Sequence, residues 1–206
     1  MPGAVSALAV ISDLVTFFRC NEFCRSGSQP NGCPVSEIRR RDLPPNPVSG
    51  LHIGSVDAGT VLFSPRVQAI YHWWQGLATQ RSGVPLWDDF DIVEHRALAP
   101  HLFVVETPAD GAFRFRLLGE TVINMIGRNV SGELVTSRPN DDYGHDLYGY
   151  YQSIILTRGC RMCRGTLDFT GSAHRHFESI DCPTADGQGD ITRIIGVMDY
   201  IEEISA

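Results

Sequence analysis

Lysine is missing from this sequence, because all 17 basic residues among its 206 are arginines. Without lysine there is no Gly-Lys-Ser/Thr loop of the kind that binds nucleotide phosphates. The chain also lacks a Gly-x-Ser-x-Gly and a His-Glu-x-x-His motif, the signatures of many serine hydrolases and zinc proteases. We therefore expect a protein that is not an enzyme and that has no metal site.

Long hydrophobic runs are also missing. No stretch approaches the roughly eighteen apolar residues that a membrane-spanning helix needs. The most apolar run, 4–18, is interrupted by Asp13 and lacks the basic start and the small-residue cleavage site of a signal peptide. These features predict a cytoplasmic protein that does not associate with membranes.

Positive charge is in short supply as well, with 24 acidic residues against 17 arginines and a formal net charge of −7. The imbalance lies in the body of the chain, since residues 51–206 hold 20 acids and 12 arginines. Non-specific binding to nucleic acids depends on basic side chains that neutralise phosphates. The acidic body therefore argues against a nucleic-acid partner.

The beginning of the chain differs in composition from the rest. Gly, Pro and Ser are dense in stretches such as 25–34, which is typical of loops or disorder. We interpret residues 1–60 as a poorly ordered extension, part of which would be a mis-assigned start if translation begins near Val56 or Val61. The folded domain is predicted to span 64–203.

A leading helix is predicted at the start of that domain. Ser64 is a favourable cap, and Pro65 suits the first helical position. Apolar residues then recur at helical spacing until about Arg81, which predicts a helix over 65–81.

This helix carries a strongly aromatic stripe that includes Tyr71, Trp74 and Leu77. Left uncovered, the stripe would be a large exposed apolar patch. We therefore expect it to cover one face of a sheet or a second copy of the chain, and we predict a homodimer.

The remaining elements alternate between strand and helix patterns. Two strands are followed by a short helix from Gly119 to Gly127 and by a longer helix whose apolar stripe runs from Tyr143 to Ile155. Three more strands follow, and their short connections force antiparallel neighbours. The fold class is thus α+β, with a five-stranded antiparallel sheet, helices inserted between strands two and three, and the leading helix. The predicted strands are 102–106, 113–117, 162–169, 174–182 and 191–201.

This order of elements resembles the PAS domain family, and several segments are similar to a group of short alphaproteobacterial proteins with a single PAS domain. The last strand is similar to a PAS ending that reads Gly, apolar residues and Asp-Ile-Thr, with Asp199-Tyr-Ile in this chain. The other matching segments are Leu98-Ala-Pro-His-Leu-Phe-Val-Val105, Phe113-Arg-Phe-Arg-Leu-Leu-Gly119, Ile126-Gly-Arg-Asn-Val-Ser-Gly132, His176-Phe-Glu178 and Ile195-Gly-Val197.

The resemblance implies a non-catalytic sensor or regulator in bacterial signalling that binds a small ligand, a partner protein or both. In multidomain PAS proteins the Asp-Ile-Thr ending couples the sheet to an output helix. This chain stops five residues after Ile201, so we expect the output to be a separate signalling protein.

PAS folds hold ligands between the helices and one face of the sheet, which implies where a pocket would lie. Core packing is an equally good role for the residues expected to form its wall. Those residues are Phe115, Leu117, Ile154, Ile155 and Phe177.

The resemblance leaves the cofactor unknown. Flavin-photoadduct PAS domains carry an Asn-Cys-Arg-Phe-Leu-Gln type of segment, whereas the corresponding 128–131 here has no cysteine. A haem would need an axial histidine, and the one candidate, His145, lies in an acidic segment where an exposed position is expected. Both cofactors are therefore disfavoured.

A thiol redox switch is one alternative function, through Cys160, Cys163 and Cys182. In an extended strand, residues three apart point to opposite faces, which separates Cys160 from Cys163. A hairpin that turns at Gly171-Ser172 places Cys182 opposite Cys160, where a disulfide or a partial metal site becomes feasible. Ordinary reduced thiols remain the main interpretation for a cytoplasmic protein.

A second alternative is a small cone-shaped α+β enzyme of the isomerase or dehydratase type. A buried carboxylate or histidine with a shifted pKa inside the pocket would mark such an enzyme. His174, His176 and Glu178 share one face of a strand, but without a nucleophile or metal pattern we interpret them as a polar sheet surface.

Overall fold

The computed structural model of the chain describes residues 52–107, 111–136, 142–167 and 172–202. Most of the predicted extension, 1–51, lies outside these residues. Residues 52–55 form a paired strand, so ordered structure begins before the predicted domain start at residue 64.

Within the described residues the chain forms seven strands and three α-helices. Two short 3₁₀ segments, Trp87–Asp89 and Arg96–His101, lie between the first helix and the second strand. In chain order the elements are β1 (His52–Ser55), α1 (Pro65–Arg81), β2 (Leu102–Glu106), β3 (Phe113–Leu118), α2 (Glu120–Ile126), β4 (Leu134–Val135), α3 (Asp142–Thr157), β5 (Arg161–Leu167), β6 (Ser172–Ala185) and β7 (Ile191–Ile201).

All seven strands belong to one antiparallel sheet with the order β1-β5-β6-β7-β2-β3-β4. The α+β class is confirmed, but the predicted count of five strands is wrong. The five predicted strands form the centre of the sheet, and β1 and β4 add one short strand at each edge. With four and two residues, these edge strands are too short to show a periodic pattern in the sequence.

Helix α1 begins at a well-formed cap. The Ser64 hydroxyl accepts the backbone N–H groups of Arg66 and Val67 at 3.1 and 3.2 Å, and proline occupies the first turn. The helix ends at Ser82, which adopts a left-handed conformation with φ of 53°. Its residues Val67, Ile70 and Tyr71 are buried against the sheet.

The sheet is covered on both sides, and each side has its own hydrophobic core. The α1 face lies under α1 and includes the side chains of Met162, Ile180 and Ile195. The α3 face lies under α2 and α3 and includes those of Phe177 and Ile194. Most residues of the three innermost strands, β6, β7 and β2, are buried on both faces.

Candidate functional site

The α3 face contains four of the five side chains predicted to form a pocket wall. Phe115, Ile154 and Phe177 are buried in its core, and Ile155 is partly buried against them. The fifth, Leu117, is wrongly placed by the prediction, because its side chain is 43% exposed.

A β-bulge explains the error at Leu117. Val104 pairs with Leu117 and Val105 pairs with Phe115, so Arg116 is an extra residue in β3. The extra residue shifts the alternation of side chains after it. Leu118 therefore packs against the α3-face core in place of Leu117.

A carboxylic acid is buried on the α3 face beside the pocket-wall residues. Asp181 of β6 is 3% exposed, and its Oδ2 accepts a hydrogen bond from the Tyr150 hydroxyl of α3 at 2.7 Å. Burial raises the pKa of Asp181 from 3.8 to about 7, although the Tyr150 bond and the nearby Arg161 charge act in the opposite direction. Asp181 therefore exchanges a proton near neutral pH.

Two buried polar atoms beside this pair have no hydrogen-bond partner within the described part of the chain. They are Oδ1 of Asp181 and Nε of Arg161. The two residues are directly opposite each other across β5 and β6, and the Arg161 guanidinium lies 5.8 Å from the centre of the Tyr150 ring. An unused acceptor and an unused donor thus lie on one face of the sheet.

The other side of Asp181 is bounded by an aromatic ring. Its neighbour on β7 is Gly196, which pairs in turn with Phe103 of β2. A Cβ atom at Gly196 would lie 2.0 Å from Cζ of Phe103. The Phe103 ring can therefore lie over Gly196 only because glycine has no side chain. Phe103 therefore lies on the sheet next to the acid.

Cysteines occur on both faces, as the strand geometry predicts. Cys163 packs against the α3-face core, where burial and the Asp181 charge raise its thiol pKa to about 12. Cys160 and Cys182 are both buried in the α1-face core with their sulfur atoms 2.9 Å apart. All three are free thiols.

On the α1 face, Glu178 is fully buried, which contradicts its predicted position on a polar sheet surface. Its Oε2 accepts the backbone N–H groups of Phe63 and Ser64, each at 2.8 Å. Its Oε1 accepts two bonds from the Arg164 guanidinium, at 2.5 and 3.1 Å. The acid holds the chain at the start of α1. Of the two predicted neighbours, His176 is partly buried and the His174 side chain lies outside the described residues.

A second buried acid, Asp199 of the PAS-like ending, is the direct cross-strand neighbour of Glu178. Its Oδ2 accepts the Ser64 hydroxyl at 2.7 Å and the Arg66 guanidinium at 3.1 Å. Its Oδ1 lies 3.1 Å from Nδ1 of His101. Both acids therefore tie the last two strands to the cap of α1.

The residues predicted for an interface on α1 lie mainly against the protein's own sheet. Tyr71 is buried, Trp74 donates its indole N–H to the Pro183 carbonyl at 2.6 Å, and Leu77 is half-buried. The stripe therefore covers the α1 face, which was one of its two predicted roles. The haem candidate His145 lies in α3, and its side chain is outside the described residues.

A family model described as a PAS domain matches residues 62–199. The chain belongs to the PAS domain family. PAS domains are generally sensory and regulatory modules, so membership supports a sensory or regulatory domain in this chain. No curated protein matches the chain in sequence.

Several solved PAS and light-oxygen-voltage structures are similar to this PAS domain. One is an RNA-binding light-oxygen-voltage receptor, with 14% identity, a TM-score of 0.41, and coverage of 77% of this chain and 40% of the receptor. The chain thus spans about 40% of the receptor's length. Another is the PAS domain of Bordetella pertussis BvgS, with 20% identity, a TM-score of 0.36, and coverage of 55% of this chain and 88% of the other.

The PAS match includes every acid described above, since Glu178, Asp181 and Asp199 fall within residues 62–199.

Among the residues that the structure describes, no group of three or more His, Cys, Asp or Glu side chains could hold a metal ion. In the same residues, no helix is both long and apolar enough to cross a membrane.

Sequence reasoning missed Asp181, Tyr150 and Arg161, although a signal for them was present. The central strand β6 carries acids on both alternating sets of positions, at Glu178 and at Asp181. Where both faces of a sheet are covered, acids in the middle of an inner strand are buried, and such acids need hydrogen-bond partners.

Proposed function

We propose that this PAS domain is a sensor whose small ligand binds on the α3 face between Asp181 and Arg161. The supporting observation is the pair of buried polar atoms, Oδ1 of Asp181 and Nε of Arg161, that lack a partner among the described residues. Buried polar groups in folded proteins nearly always have a partner, and leaving one without costs about 1–3 kcal/mol. An occupant that bonds both atoms would remove this cost.

The chemistry of the two atoms defines the ligand. Nε of Arg161 donates, so it needs an acceptor such as a carbonyl or carboxylate oxygen. Oδ1 of Asp181 needs a donor such as an amide N–H or a hydroxyl when the acid is ionised. A carboxamide, a lactam or a hydroxy acid presents both groups side by side, and the surrounding rings of Tyr150 and Phe103 suit an apolar remainder. A single water molecule is the competing occupant.

The first test compares native and denatured masses of the purified full-length chain, together with its absorption spectrum. We expect a small molecule to stay bound to the native protein. A panel of carboxamides, lactams and hydroxy acids is then screened by thermal unfolding, and at least one should raise Tm. Asp181→Asn should bind that compound at least about tenfold more weakly, the effect of losing about 1.4 kcal/mol.

The control variant is Glu133→Gln, which changes an exposed acid outside the site and should bind like the wild type. Two results would refute the proposal. One is a native mass equal to that of the bare chain together with no shift from any compound, which leaves water as the occupant. The other is equal binding by Asp181→Asn and the wild type.

Acid–base catalysis is a second candidate function, and one observation favours it. The raised pKa of Asp181, about 7, is the value that suits a general acid or base at neutral pH, and a tyrosine hydroxyl lies beside it. The two functions differ in what happens to the bound compound. Recovery of the compound unchanged after long incubation supports the sensor, whereas its conversion by the wild type and not by Asp181→Asn supports an enzyme.

Three further expectations accompany the sensor proposal. The protein would act in the bacterial cytoplasm, signal to a separate partner protein and form a homodimer. The dimer is the part most readily measured, by light scattering on the full-length chain. A monomer mass at high micromolar concentration would exclude it.

A further inference from the structure

The α1 face holds two thiols in a position to form a covalent bond. Cys160 directly precedes β5, and Cys182 lies on β6 next to Asp181, which pairs with Arg161. The sulfur atoms are 2.9 Å apart, and the residues are 3% and 0% exposed. A disulfide is about 2.05 Å long, so bond formation needs the sulfurs to approach by about 0.9 Å.

The backbone geometry is also suitable for a bond. Opposite residues in an antiparallel pair have Cα atoms about 4.5–5.5 Å apart, which is within the range that disulfides span. Cys160 and Cys182 continue the β5–β6 register by one residue beyond the Arg161–Asp181 pair. Closing the bond therefore needs side-chain rotation and little movement of the strands.

The third cysteine of the domain is excluded from this reaction by the sheet. Cys163 packs in the α3-face core, whereas the other two cysteines are in the α1-face core. A disulfide from Cys163 to either of them would have to pass through the β-sheet. Of the three thiols, Cys160 and Cys182 can therefore form a disulfide with each other, whereas Cys163 stays a free thiol.

We propose that Cys160 and Cys182 form a redox couple that closes to a disulfide when the cell is exposed to peroxide. In the first step one thiol attacks hydrogen peroxide, becomes a sulfenic acid and releases one water. The second thiol then displaces the hydroxyl group, which forms the S–S bond and releases another water. The two thiols lose two electrons and two protons in total, and peroxide is reduced to two waters.

Burial sets the speed of this reaction. The thiolate is the reactive form, and burial together with the neighbouring sulfur holds the pKa of the Cys160 thiol well above its usual value. We therefore expect a slow response, over minutes to hours, to sustained oxidant. The disulfide would in turn be shielded by α1 from external reductants.

Helix α1 is the element that would change with the redox state. Tyr71 packs in the same core as both cysteines. The Trp74 indole N–H bonds to the carbonyl of Pro183, the residue directly after Cys182. This redox inference is independent of the ligand proposed above, since the couple and the ligand site are on opposite faces of the sheet.

The test uses the full-length chain with Cys20, Cys24 and Cys33 replaced by serine, so that three thiols remain. The reduced protein is exposed to hydrogen peroxide, unfolded and alkylated, and its mass and peptides are then measured. We expect a loss of two hydrogen atoms, one alkylated thiol at Cys163, and a cross-linked peptide joining Cys160 and Cys182. Dithiothreitol applied to the unfolded protein should restore all three thiols.

The matched controls are single further substitutions. Cys163→Ser should still lose two hydrogens, whereas Cys182→Ser should not. Tm of the oxidised triple-serine chain should rise above that of its reduced form, and this measurement needs no substitution in the pair. The proposal is wrong if both thiols remain alkylatable after prolonged exposure, or if oxidation adds oxygen atoms at Cys163 before the pair reacts.

Discussion

The two faces of the sheet differ in how completely the oxygens of their buried acids are hydrogen-bonded. On the α1 face, both oxygens of Glu178 and both of Asp199 have a donor or a basic group within 3.1 Å. On the α3 face, Oδ2 of Asp181 has the Tyr150 hydroxyl and Oδ1 has no partner among the described residues. Glu178 and Asp181 are three residues apart on β6, and Asp199 is the cross-strand neighbour of Glu178, so the difference is local.

This comparison separates a structural role from a functional one. Acids with complete hydrogen bonding hold their partners in place, and here the partners are the cap and first turn of α1. An acid that lacks a partner is costly to folding, and such sites are common where a protein binds or reacts. The α1 face therefore has an anchoring role, whereas the α3 face is the side on which the ligand proposed above would bind.

Among the substitutions that test this comparison, Glu178→Ala is expected to cause the largest loss of stability. The change removes the acceptor of two backbone N–H groups and deprives the Arg164 guanidinium of its carboxylate partner, leaving its bond to the Val61 carbonyl. Removing one partner of a buried ion pair costs about 3–5 kcal/mol, so we expect the free energy of unfolding to fall by this amount. Urea denaturation followed by circular dichroism measures it.

Glu133→Ala is the control for this measurement, because its pair with Arg128 is exposed. Exposed pairs contribute about 0–1 kcal/mol. Should Glu178→Ala be too unstable to fold, Glu178→Gln retains one acceptor and is expected to lie between the two. Equal free energies of unfolding for Glu178→Ala and Glu133→Ala would contradict the anchoring role of Glu178.

A pair of matched substitutions, Asp199→Asn and Asp181→Asn, should have different effects at pH 7. Asp199→Asn removes the carboxylate that accepts bonds from the Arg66 guanidinium and the Ser64 hydroxyl, which should cost about 1–3 kcal/mol. Asp181→Asn replaces an acid that is already partly neutral near pH 7, and it keeps an acceptor for Tyr150. We expect no loss of stability from it at pH 7, because the neutral amide avoids the cost of ionising a buried acid.

The pH dependence of stability distinguishes the two acids further. The pKa of Asp181 is raised in the folded state, so its favourable contribution is complete below about pH 3.8 and is lost as the pH rises to about 7. The free energy of unfolding of the wild type, minus that of Asp181→Asn, should fall by up to about 1.4 kcal/mol per pH unit across this window. A difference that is constant with pH would contradict the raised pKa.

The smallest expected effect is at the bulge in β3. Leu117 is exposed, so Leu117→Gln should change the free energy of unfolding by less than about 0.5 kcal/mol. The same change one residue later, Leu118→Gln, places an amide against the α3-face core and should cost about 1–3 kcal/mol. Thermal unfolding of the two variants decides between the bulged and the regular strand, since a regular strand would reverse their order.

Much of the fold could be read from periodicity and caps. Ser64-Pro65 marks the start of α1, Gly119 and Gly127 flank α2, and the apolar runs mark β2 and β7. These signals are local, so a single sequence contains them. The bulge at Arg116 is different, because it depends on how β3 pairs with β2 and leaves the alternating pattern of β3 unchanged.

Strand β6 shows why the candidate site was harder to predict. The sequence prediction ended this strand at Cys182, before a proline, yet β6 continues through Pro183 to Ala185. Beyond Asp181, β5 no longer pairs with β6, so proline is tolerated at position 183, although Ala185 bridges to Leu86. The partners of Asp181 likewise depend on neighbours that are distant in sequence, since Tyr150 is 31 residues away.

The short strands at the two ends of the sheet limit how this domain can associate with other chains. β1 offers four residues and β4 two, and the β3 edge next to β4 also bonds, through Phe115, to the backbone of residues 132 and 133. An incoming strand would find few free backbone groups to pair with, a common protection against edge-to-edge aggregation. Among the described residues, pairing of this sheet with a strand of another chain is therefore disfavoured at both edges.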